Sequence, residues 1–347
     1  MKKIIDAHTH VYELPEGIKQ LINLADHFGY GKVNILSAPS YLTILQNIEI
    51  ALCKKLYPNR AYIFGGLEYE TEALQLESRS FLNQAKKIVE MGFDGFKIIE
   101  GKPSIRKKIN RKLNDSCYDD FYSYLEQNNL PVLMHIADPK NFWLKATTPE
   151  WGIAAGYCYE DGDYLPYQSF YDEVDGILQK YPKLKVILAH FYFLSDNIKA
   201  ASEFLDKWEN ASFDLTPGTE MYVNFTKDYD TWRAFFIKYQ DRIIFGTDSS
   251  DVYSEKEEKN IHITNHLEMN FISKSGNVNA WELNIKGMCF EEVIQNKIFA
   301  ENFLLYVNEE PISLNDKAVL NEIEQLGKIV TDKSLLEKLN LYKSYFL

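Results

Sequence analysis

The sequence predicts an α/β protein built as a (β/α)8 TIM barrel, and three observations lead to this fold. Short apolar or β-branched runs alternate with longer amphipathic segments along most of the chain. The runs at 132–134 and 186–189 are almost continuously apolar, which is typical of parallel strands buried on both faces. A length of 347 residues suits one large barrel with an extension better than a single small core.

Eight segments are predicted as strands and the segments between them as helices, which is the pattern of a (β/α)8 barrel. In chain order, the strands are predicted at Lys3–Val11, Val33–Ser37, Ala61–Glu68, Gly95–Ile99, Pro131–Ile136, Lys185–Phe191, Ser212–Thr216 and Arg242–Thr247. The clearest helices are predicted at Ala73–Met91, Asp119–Asn129, Tyr171–Tyr181 and Tyr229–Tyr239. Gly92, Pro131 and Pro182 follow the first three of these helices, as helix-stop signals do.

Two regions are too long to be simple connections. Residues 137–168 show no clear period and are rich in aromatic side chains. Connections of this length are usually functional loops or lids, so this one is expected to cap the site or to pack on the barrel rim. Residues 1–307 are predicted to form the barrel, and residues 308–347 a C-terminal helical extension packed on it.

Composition and charge narrow the class of protein. Hydrophobic residues make up 46% and charged residues 25%, as in ordinary soluble globular proteins. The net charge of -12 argues against nucleic acid as a partner, because a phosphate backbone is bound by a basic face. No apolar run approaches the roughly 20 residues that span a bilayer, and Asp6 interrupts the N-terminus too early for a secretory signal. A cytoplasmic protein with no membrane partner is therefore expected, and its four cysteines, which form no CxxC, are predicted to be reduced thiols.

Reactive side chains recur at the predicted ends of the strands, where the active site of such a barrel lies. His8 and His10 are two residues apart on the first strand and therefore point to the same side. His135, His190 and Asp248 end the fifth, sixth and eighth strands, so four of the seven histidines lie on one predicted face. Imidazoles and a carboxylate are typical ligands of a divalent metal such as zinc.

This arrangement resembles the signature of the amidohydrolase superfamily, namely HxH on strand one, His on strands five and six, and Asp on strand eight. The segments Ala189-His190, Phe245–Asp248 and Lys297–Phe303 resemble its amidohydrolase-related (amidohydrolase 2) branch, over about residues 1–307. That branch contains hydrolases and non-oxidative decarboxylases. The resemblance implies that one divalent metal, zinc before manganese, iron or nickel, is bound by His8, His10, His135 and Asp248. It also implies that Asp248 and His190 are catalytic, Asp248 as a general base and His190 as a group that hydrogen-bonds the developing oxyanion or orients the substrate.

Lys97, on the fourth predicted strand, leaves the number of metal ions open. In binuclear members of the superfamily a lysine on this strand is carbamylated and bridges two ions, with the histidines of strands five and six on the second ion. The branch resembled here favours a single ion, and Lys97 would then be a cationic substrate contact or part of the polar lining of the barrel.

Further candidates follow from position alone. Lys102 and Arg106 come after the fourth strand and could bind a substrate carboxylate or phosphate, or could be solvated surface charges. Trp151 in the aromatic loop and Tyr222 after the seventh strand could line the pocket. His262 and His266 are spaced four residues apart, with Glu258 four residues earlier. This spacing could bind metal, although a polar helix face is the favoured interpretation.

The leading functional prediction is hydrolysis of an amide, ester or lactone bond in a small molecule through a metal-activated water, with Asp248 as general base. The nearest alternative is non-oxidative decarboxylation of an aromatic or enoic acid on the same site. A non-catalytic barrel is the alternative from a different class. A homodimer formed through the barrel helices or the aromatic loop is compatible with the sequence.

Overall fold

Eight parallel strands form the centre of the molecule in the computed structural model, which describes residues 3–69, 80–251, 254–278 and 280–347. They are β1 (Ile5–Thr9), β2 (Lys32–Leu36), β3 (Ala61–Gly66), β4 (Gly95–Gly101), β5 (Val132–Ile136), β6 (Val186–Leu188), β7 (Ala211–Asp214) and β8 (Ile243–Ile244). Each strand pairs with the next in chain order, and all of these pairs are parallel. The predicted (β/α)8 barrel is confirmed.

The barrel closes where the last strand meets the first. The backbone N–H of Ala7 donates to the carbonyl of Phe245 at 3.1 Å, and the N–H of Asp248 donates to the carbonyl of His8 at 2.8 Å. A parallel bridge between Thr9 and Ser249 continues the closure beyond β8. The backbone bonds that close the barrel therefore also hold the strand ends that carry His8 and Asp248.

Helices follow the strands and form the outer layer. They are α1 (Glu16–Phe28), α2 (Gln46–Leu56), α3 (Phe81–Met91), α4 (Pro103–Ile109), α5 (Asp119–Gln127), α6 (Glu150–Ala154), α7 (Tyr167–Lys180), α8 (Ile198–Lys207), α9 (Thr219–Lys227), α10 (Tyr229–Lys238), α11 (Glu255–Ser273), α12 (Glu292–Asn296), α13 (Asn302–Leu304), α14 (Asp316–Ile329) and α15 (Lys333–Lys343). Gly92 ends α3 with a φ of 94°, which is the glycine helix stop expected from the sequence. The predicted start of that helix, at Ala73, lies outside the described residues. A small antiparallel pair, β9 (Ser275–Asn277) and β10 (Lys286–Met288), was not predicted.

The lower half of the barrel is filled by apolar side chains, and the chain after β8 closes this end. Ile5, Phe64, Leu133 and Ile187 pack together inside the barrel. Phe303 lies beneath them, with its ring centroid 5.5 Å from that of Tyr62. The N-terminal mouth is thus plugged, and the opposite mouth, at the C-terminal ends of the strands, is left for a site.

The helices of the C-terminal extension pack on α2 and α3. Asp316 pairs with Lys55 at 2.5 Å, and the hydroxyl of Tyr342 donates to Glu49 at 3.1 Å. The division of the chain at residue 307 stays a prediction. No helix within the described residues is both long and apolar enough to cross a membrane.

Candidate active site

A cavity of about 140 Å³ opens at the C-terminal ends of the strands. It is lined by the predicted strand-end residues together with their neighbours, namely His8, His10, Tyr12, Ala38, Tyr41, Leu42, Lys97, Ile99, Lys102, His135, Tyr157, His190 and Asp248. The structure therefore brings into one pocket the six reactive side chains that were predicted on or at the ends of five strands. They are His8, His10, Lys97, His135, His190 and Asp248.

An irregularity in β1 points His8, and His10 just beyond the strand, into this pocket. The register with β2 shifts between Asp6 and Thr9, which breaks the strict alternation of side chains. Ala7 faces the apolar barrel interior, while His8 and His10 line the mouth. Asp6 fixes the distorted segment, because its carboxylate accepts hydrogen bonds from the N–H of His8 at 3.2 Å and from the hydroxyl of Thr247 at 2.6 Å.

Asp248 is the meeting point of the candidate metal ligands. Its Oδ1 lies 3.2 Å from Nε2 of His10 and 3.4 Å from Nε2 of His8. His8, His190 and Asp248 each offer one ligand atom, and these three atoms lie within 4.8 Å of one another. The side chain of Asp248 is 36% exposed, so its carboxylate is open to the pocket.

Protein partners orient the rings of His8 and His10 so that each presents Nε2 to the pocket. Nδ1–H of His8 donates to Oδ2 of Asp214 at 2.9 Å, and Nδ1–H of His10 donates to the carbonyl of Leu36 at 3.2 Å. Both Nε2 lone pairs are thereby directed toward Asp248. Burial and nearby Lys97 lower the pKa of His8 well below its usual value, which keeps the ring neutral. Burial raises the pKa of Asp248, but the proximity of His10, His8 and His190 outweighs this effect and holds the pKa well below the usual range. The neutral imidazole of His8 and the ionised carboxylate of Asp248 fit a divalent ion.

His190 reaches this group because the chain turns sharply after β6. The strand ends at Leu188, and the four residues 190–193 all have a positive φ, between 49° and 57°. Left-handed conformations of this kind are uncommon for residues other than glycine and are held by the surrounding structure. Here the N–H of His190 donates to Asp214 at 2.7 Å, and its Nδ1 lies 3.0 Å from the hydroxyl of Thr216.

His135 differs from its predicted place among the metal ligands. Its Nδ1 faces Nε2 of His190 at 3.1 Å, and its Nε2 faces Oδ1 of Asp138 at 3.1 Å. In the structure His190, rather than His135, therefore groups with His8 and Asp248. The ligand role of His135 stays a prediction.

Asp138 is a site residue that sequence reasoning missed. It accepts a hydrogen bond from Lys102 at 3.1 Å and one from the hydroxyl of Tyr159 at 2.5 Å, in addition to facing His135. Burial raises its pKa, but Lys102, His135 and Tyr159 outweigh that effect and hold it at about 2. The available signal was its position three residues after His135, just beyond a strand end.

Asp214, the last residue of β7, is fully buried. The structure shows that it links two strands of the site, because it binds the ring of His8, the backbone of His190 and the hydroxyl of Thr216.

Lys97 and Lys102 form a cationic wall of the pocket. Nζ of Lys97 lies 3.4 Å from Nε2 of His8, and burial lowers the pKa of Lys97 to about 8. Lys102 pairs with Asp138 and lies over the ring of Tyr157, 4.6 Å from its centroid. Tyr157 and Tyr159 belong to the long loop after β5, which thereby reaches the pocket.

Three predicted substrate contacts lie away from the pocket. Arg106 is buried against Glu173, with 3.2 Å between guanidinium and carboxylate. Trp151 is 62% exposed and packs edge-on against Phe142. Tyr222 is buried, and its hydroxyl donates to the carbonyl of Leu215 at 2.8 Å. All three residues come after strands in the sequence, but they lie on helices that direct their side chains away from the pocket. Arg106 lies on α4, Trp151 on α6 and Tyr222 on α9.

The fold and the site define a barrel enzyme with a candidate metal centre at its open mouth. The chain belongs to the amidohydrolase family, whose sequence model matches residues 75–302. Family membership makes it an enzyme, with hydrolysis and decarboxylation as the options, rather than a non-catalytic barrel. The family is metal-dependent, and His8, His190 and Asp248 form a group that could hold an ion.

Solved structures with the same fold share little sequence with this chain. The probable 2-pyrone-4,6-dicarboxylic acid hydrolase of Acinetobacter baumannii, with citric acid bound, is 12% identical with a TM-score of 0.56, over 88% of this chain and 98% of that one. The 2,6-dihydroxybenzoate decarboxylase from Rhizobium is 15% identical with a TM-score of 0.52, over 88% and 98%. The 4-oxalomesaconate hydratase from Rhodopseudomonas palustris is 12% identical with a TM-score of 0.52, over 94% and 99%. A search of curated proteins found no match to the sequence.

Proposed function

We propose that this enzyme hydrolyses an amide, ester or lactone bond in a small anionic molecule, with Asp248 as the general base. One observation carries the proposal. The carboxylate of Asp248, open to the pocket, lies 3.2 Å from Nε2 of His10 and 3.4 Å from Nε2 of His8. A group so placed can accept a proton from an attacking water and return it to the leaving group.

The proposed cofactor is one divalent ion, zinc by preference, because imidazole and carboxylate ligands suit it. When bound, such an ion lowers the pKa of a water to about 7 and polarises a carbonyl group. His8, His10, His190 and Asp248 are the residues placed to hold it, with His135 as the further ligand predicted from the sequence. A second ion on a carbamylated Lys97 remains the alternative.

The proposed substrate is anionic because the pocket wall is cationic. Lys97 and Lys102 both line a small cavity, and a substrate carboxylate would replace or share the pairing of Lys102 with Asp138. If His8, His10, His135 and Asp248 hold the ion, as predicted from the sequence, the ring of His190 is free to donate a hydrogen bond to an oxygen that gains negative charge during the reaction. The likeness of fold to a dicarboxylic acid hydrolase with citric acid bound supports an acid of this size.

Decarboxylation of an aromatic or enoic acid is the second candidate. The same two lysines would bind the carboxylate, and Asp248 would transfer the proton that replaces carbon dioxide. The fold is shared with a dihydroxybenzoate decarboxylase, which supports this alternative. The cytoplasmic location, the homodimer and the absence of nucleic-acid and membrane partners also remain proposals from the sequence.

The decisive experiment screens lactones, esters, amides and aromatic acids in water enriched in ¹⁸O. Hydrolysis places one labelled oxygen in the product, whereas decarboxylation releases carbon dioxide without net consumption of water. Asp248→Asn should lower kcat by at least about a hundredfold, since it removes the general base. Asp230→Asn, at an exposed position on α10, is the matched control. An Asp248→Asn enzyme with full activity would rule out the proposed role of this residue.

A further inference from the structure

The three histidines outside the pocket lie together on the outer helix layer. His27 is in the last turn of α1, while His262 and His266 are one turn apart on α11. The ring centroids of His27 and His262 are 4.8 Å apart. The ring of Phe28 lies against both α11 histidines, 5.4 Å from His262 and 4.9 Å from His266. Every histidine of the chain thus belongs either to the catalytic pocket or to this cluster.

The spacing on α11 adds a carboxylate to the cluster. Glu258, His262 and His266 follow one another at intervals of four residues, which places their side chains on one face of the helix. Glu258, His27 and His266 are exposed, and His262 is half-buried. Exposed side chains change rotamer within nanoseconds, so His27, Glu258 and His266 can converge on the half-buried His262, although the ligand atoms of the four residues do not all lie within 4.8 Å of one another in the present rotamers.

We propose that His27, His262 and His266 bind a second divalent transition-metal ion, with Glu258 as its fourth ligand. Three imidazoles and a carboxylate are the donor set that Zn²⁺, Ni²⁺ or Cu²⁺ accepts. The site is built from two helices of the outer layer, and none of its residues lines the catalytic pocket. It is therefore independent of the reaction proposed above.

A bound ion would join α1 to α11 at a place where the two are already linked. The hydroxyl of Tyr30, which follows α1, donates to Oδ1 of Asn265 at 2.8 Å. Asn265 lies between His262 and His266 and donates to the hydroxyl of Ser249 at 2.8 Å. Because the unfolded chain does not hold the two helices together, an ion bound here would stabilise the folded state.

The test titrates zinc chloride into the untagged enzyme by calorimetry, after the ion in the catalytic pocket has been loaded and counted by mass spectrometry. The wild type should bind a second equivalent and unfold at a higher temperature with it. The double variant His262→Gln/His266→Gln should lose this equivalent and keep its turnover. His27→Gln should weaken the binding of the second zinc ion by about tenfold or more, and a tenfold loss of affinity corresponds to about 1.4 kcal/mol.

Lys256→Gln is the control, because this exposed residue lies on the same helix but on another face. Its second equivalent should bind as in the wild type. Equal melting temperatures of all variants before zinc is added would show that each is folded. Failure of the wild type to bind a second equivalent, or its retention by the double variant, would overturn the proposal. Unchanged affinity in His27→Gln would overturn a site that bridges two helices.

Discussion

Single carboxylates determine how the histidines of this site are presented. Asp214 holds the ring of His8 and the backbone of His190, so one side chain fixes the orientation of two groups on different strands. Asp138 does the same for His135 and Lys102 on the other side of the pocket. Groups of this kind orient metal ligands and substrate contacts without touching the reacting atoms.

Asp214→Asn should therefore reduce both metal retention and turnover. An amide accepts more weakly than a carboxylate, so the ring of His8 would lose the partner that directs Nε2 toward Asp248. Loss of such an outer partner costs about 10- to 100-fold in metal affinity or activity. The measurement is metal content after dialysis against a chelator, together with kcat. Asp230→Asn serves as control, and a variant that matches the wild type in both quantities would contradict the positioning role.

Glu100, on β4, should make the stability of the protein depend on pH. Its Oε1 accepts a hydrogen bond from Ser40 at 2.7 Å, while its Oε2 is buried and has no hydrogen-bond partner among the described residues. Burial raises its pKa from 4.5 to about 7. The folded state thus holds a proton that the unfolded chain releases above pH 4.5, so this residue lowers the stability as pH rises from 4.5 to 7.

Glu100→Gln should remove this dependence. The free energy of unfolding of the variant, minus that of the wild type, should grow by about 3 kcal/mol between pH 4.5 and pH 7 and change little above that, since one pKa unit corresponds to about 1.4 kcal/mol. Urea unfolding at a series of pH values measures the difference. The exposed Glu90→Gln, on α3, should follow the wild type. A constant difference between Glu100→Gln and the wild type would contradict the prediction.

Whole elements, rather than single residues, explain where the sequence-based site differs from the observed one. The turn at 190–193 bends the chain after β6 and sends His190 toward His8. Helix α4 begins directly after Lys102 and directs Arg106 to Glu173. The long loop after β5 returns to the pocket through Tyr157 and Tyr159. The spacing of apolar residues predicts where a strand ends, but it does not predict the direction in which the chain continues after that strand.

The hydroxyl of Tyr159 should hold this loop closed over the pocket. Tyr159→Phe would remove its bond to Asp138, and hydrogen bonds to charged groups contribute about 1.5–3 kcal/mol. The loop should then be cleaved about tenfold faster in limited proteolysis at 144–163, with KM raised more than kcat is lowered. Tyr164→Phe, in the same loop, is the control. Equal cleavage rates in the Tyr159→Phe and wild-type proteins would show that this contact does not close the loop.

At the scale of the molecule, the barrel and the convergence of its reactive residues were predictable, whereas their pairwise contacts were not. The period of apolar residues identified all eight strands, and the barrel geometry then brought His8, His135, His190 and Asp248 to one mouth. Strand ends were predicted too long at β6 and β8, because the local pattern stays apolar where the backbone already turns. Asp138 was missed because its role depends on Lys102 and Tyr159, which lie 36 and 21 residues away.

The C-terminal extension should unfold together with the barrel. Leu326 on α14 is buried and lines a small cavity together with Ile88 and Met91 of α3, and Lys55 of α2 pairs with Asp316. Leu326→Ala should lower the free energy of unfolding by about 2–4 kcal/mol through loss of buried apolar surface and the cavity left behind. It should leave kcat unchanged, because this packing lies outside the catalytic pocket.

Scanning calorimetry of the wild type, Leu326→Ala and Leu341→Ala measures this coupling. Leu341, on α15, is 49% exposed, so its substitution should shift the transition little. All three proteins should show one transition, and loss of activity should follow the same curve. A separate early transition that moves in Leu326→Ala while the main one stays fixed would mean that residues 308–347 unfold as an independent unit. A single shifted transition would show that the extension contributes to the stability of the barrel that carries the site.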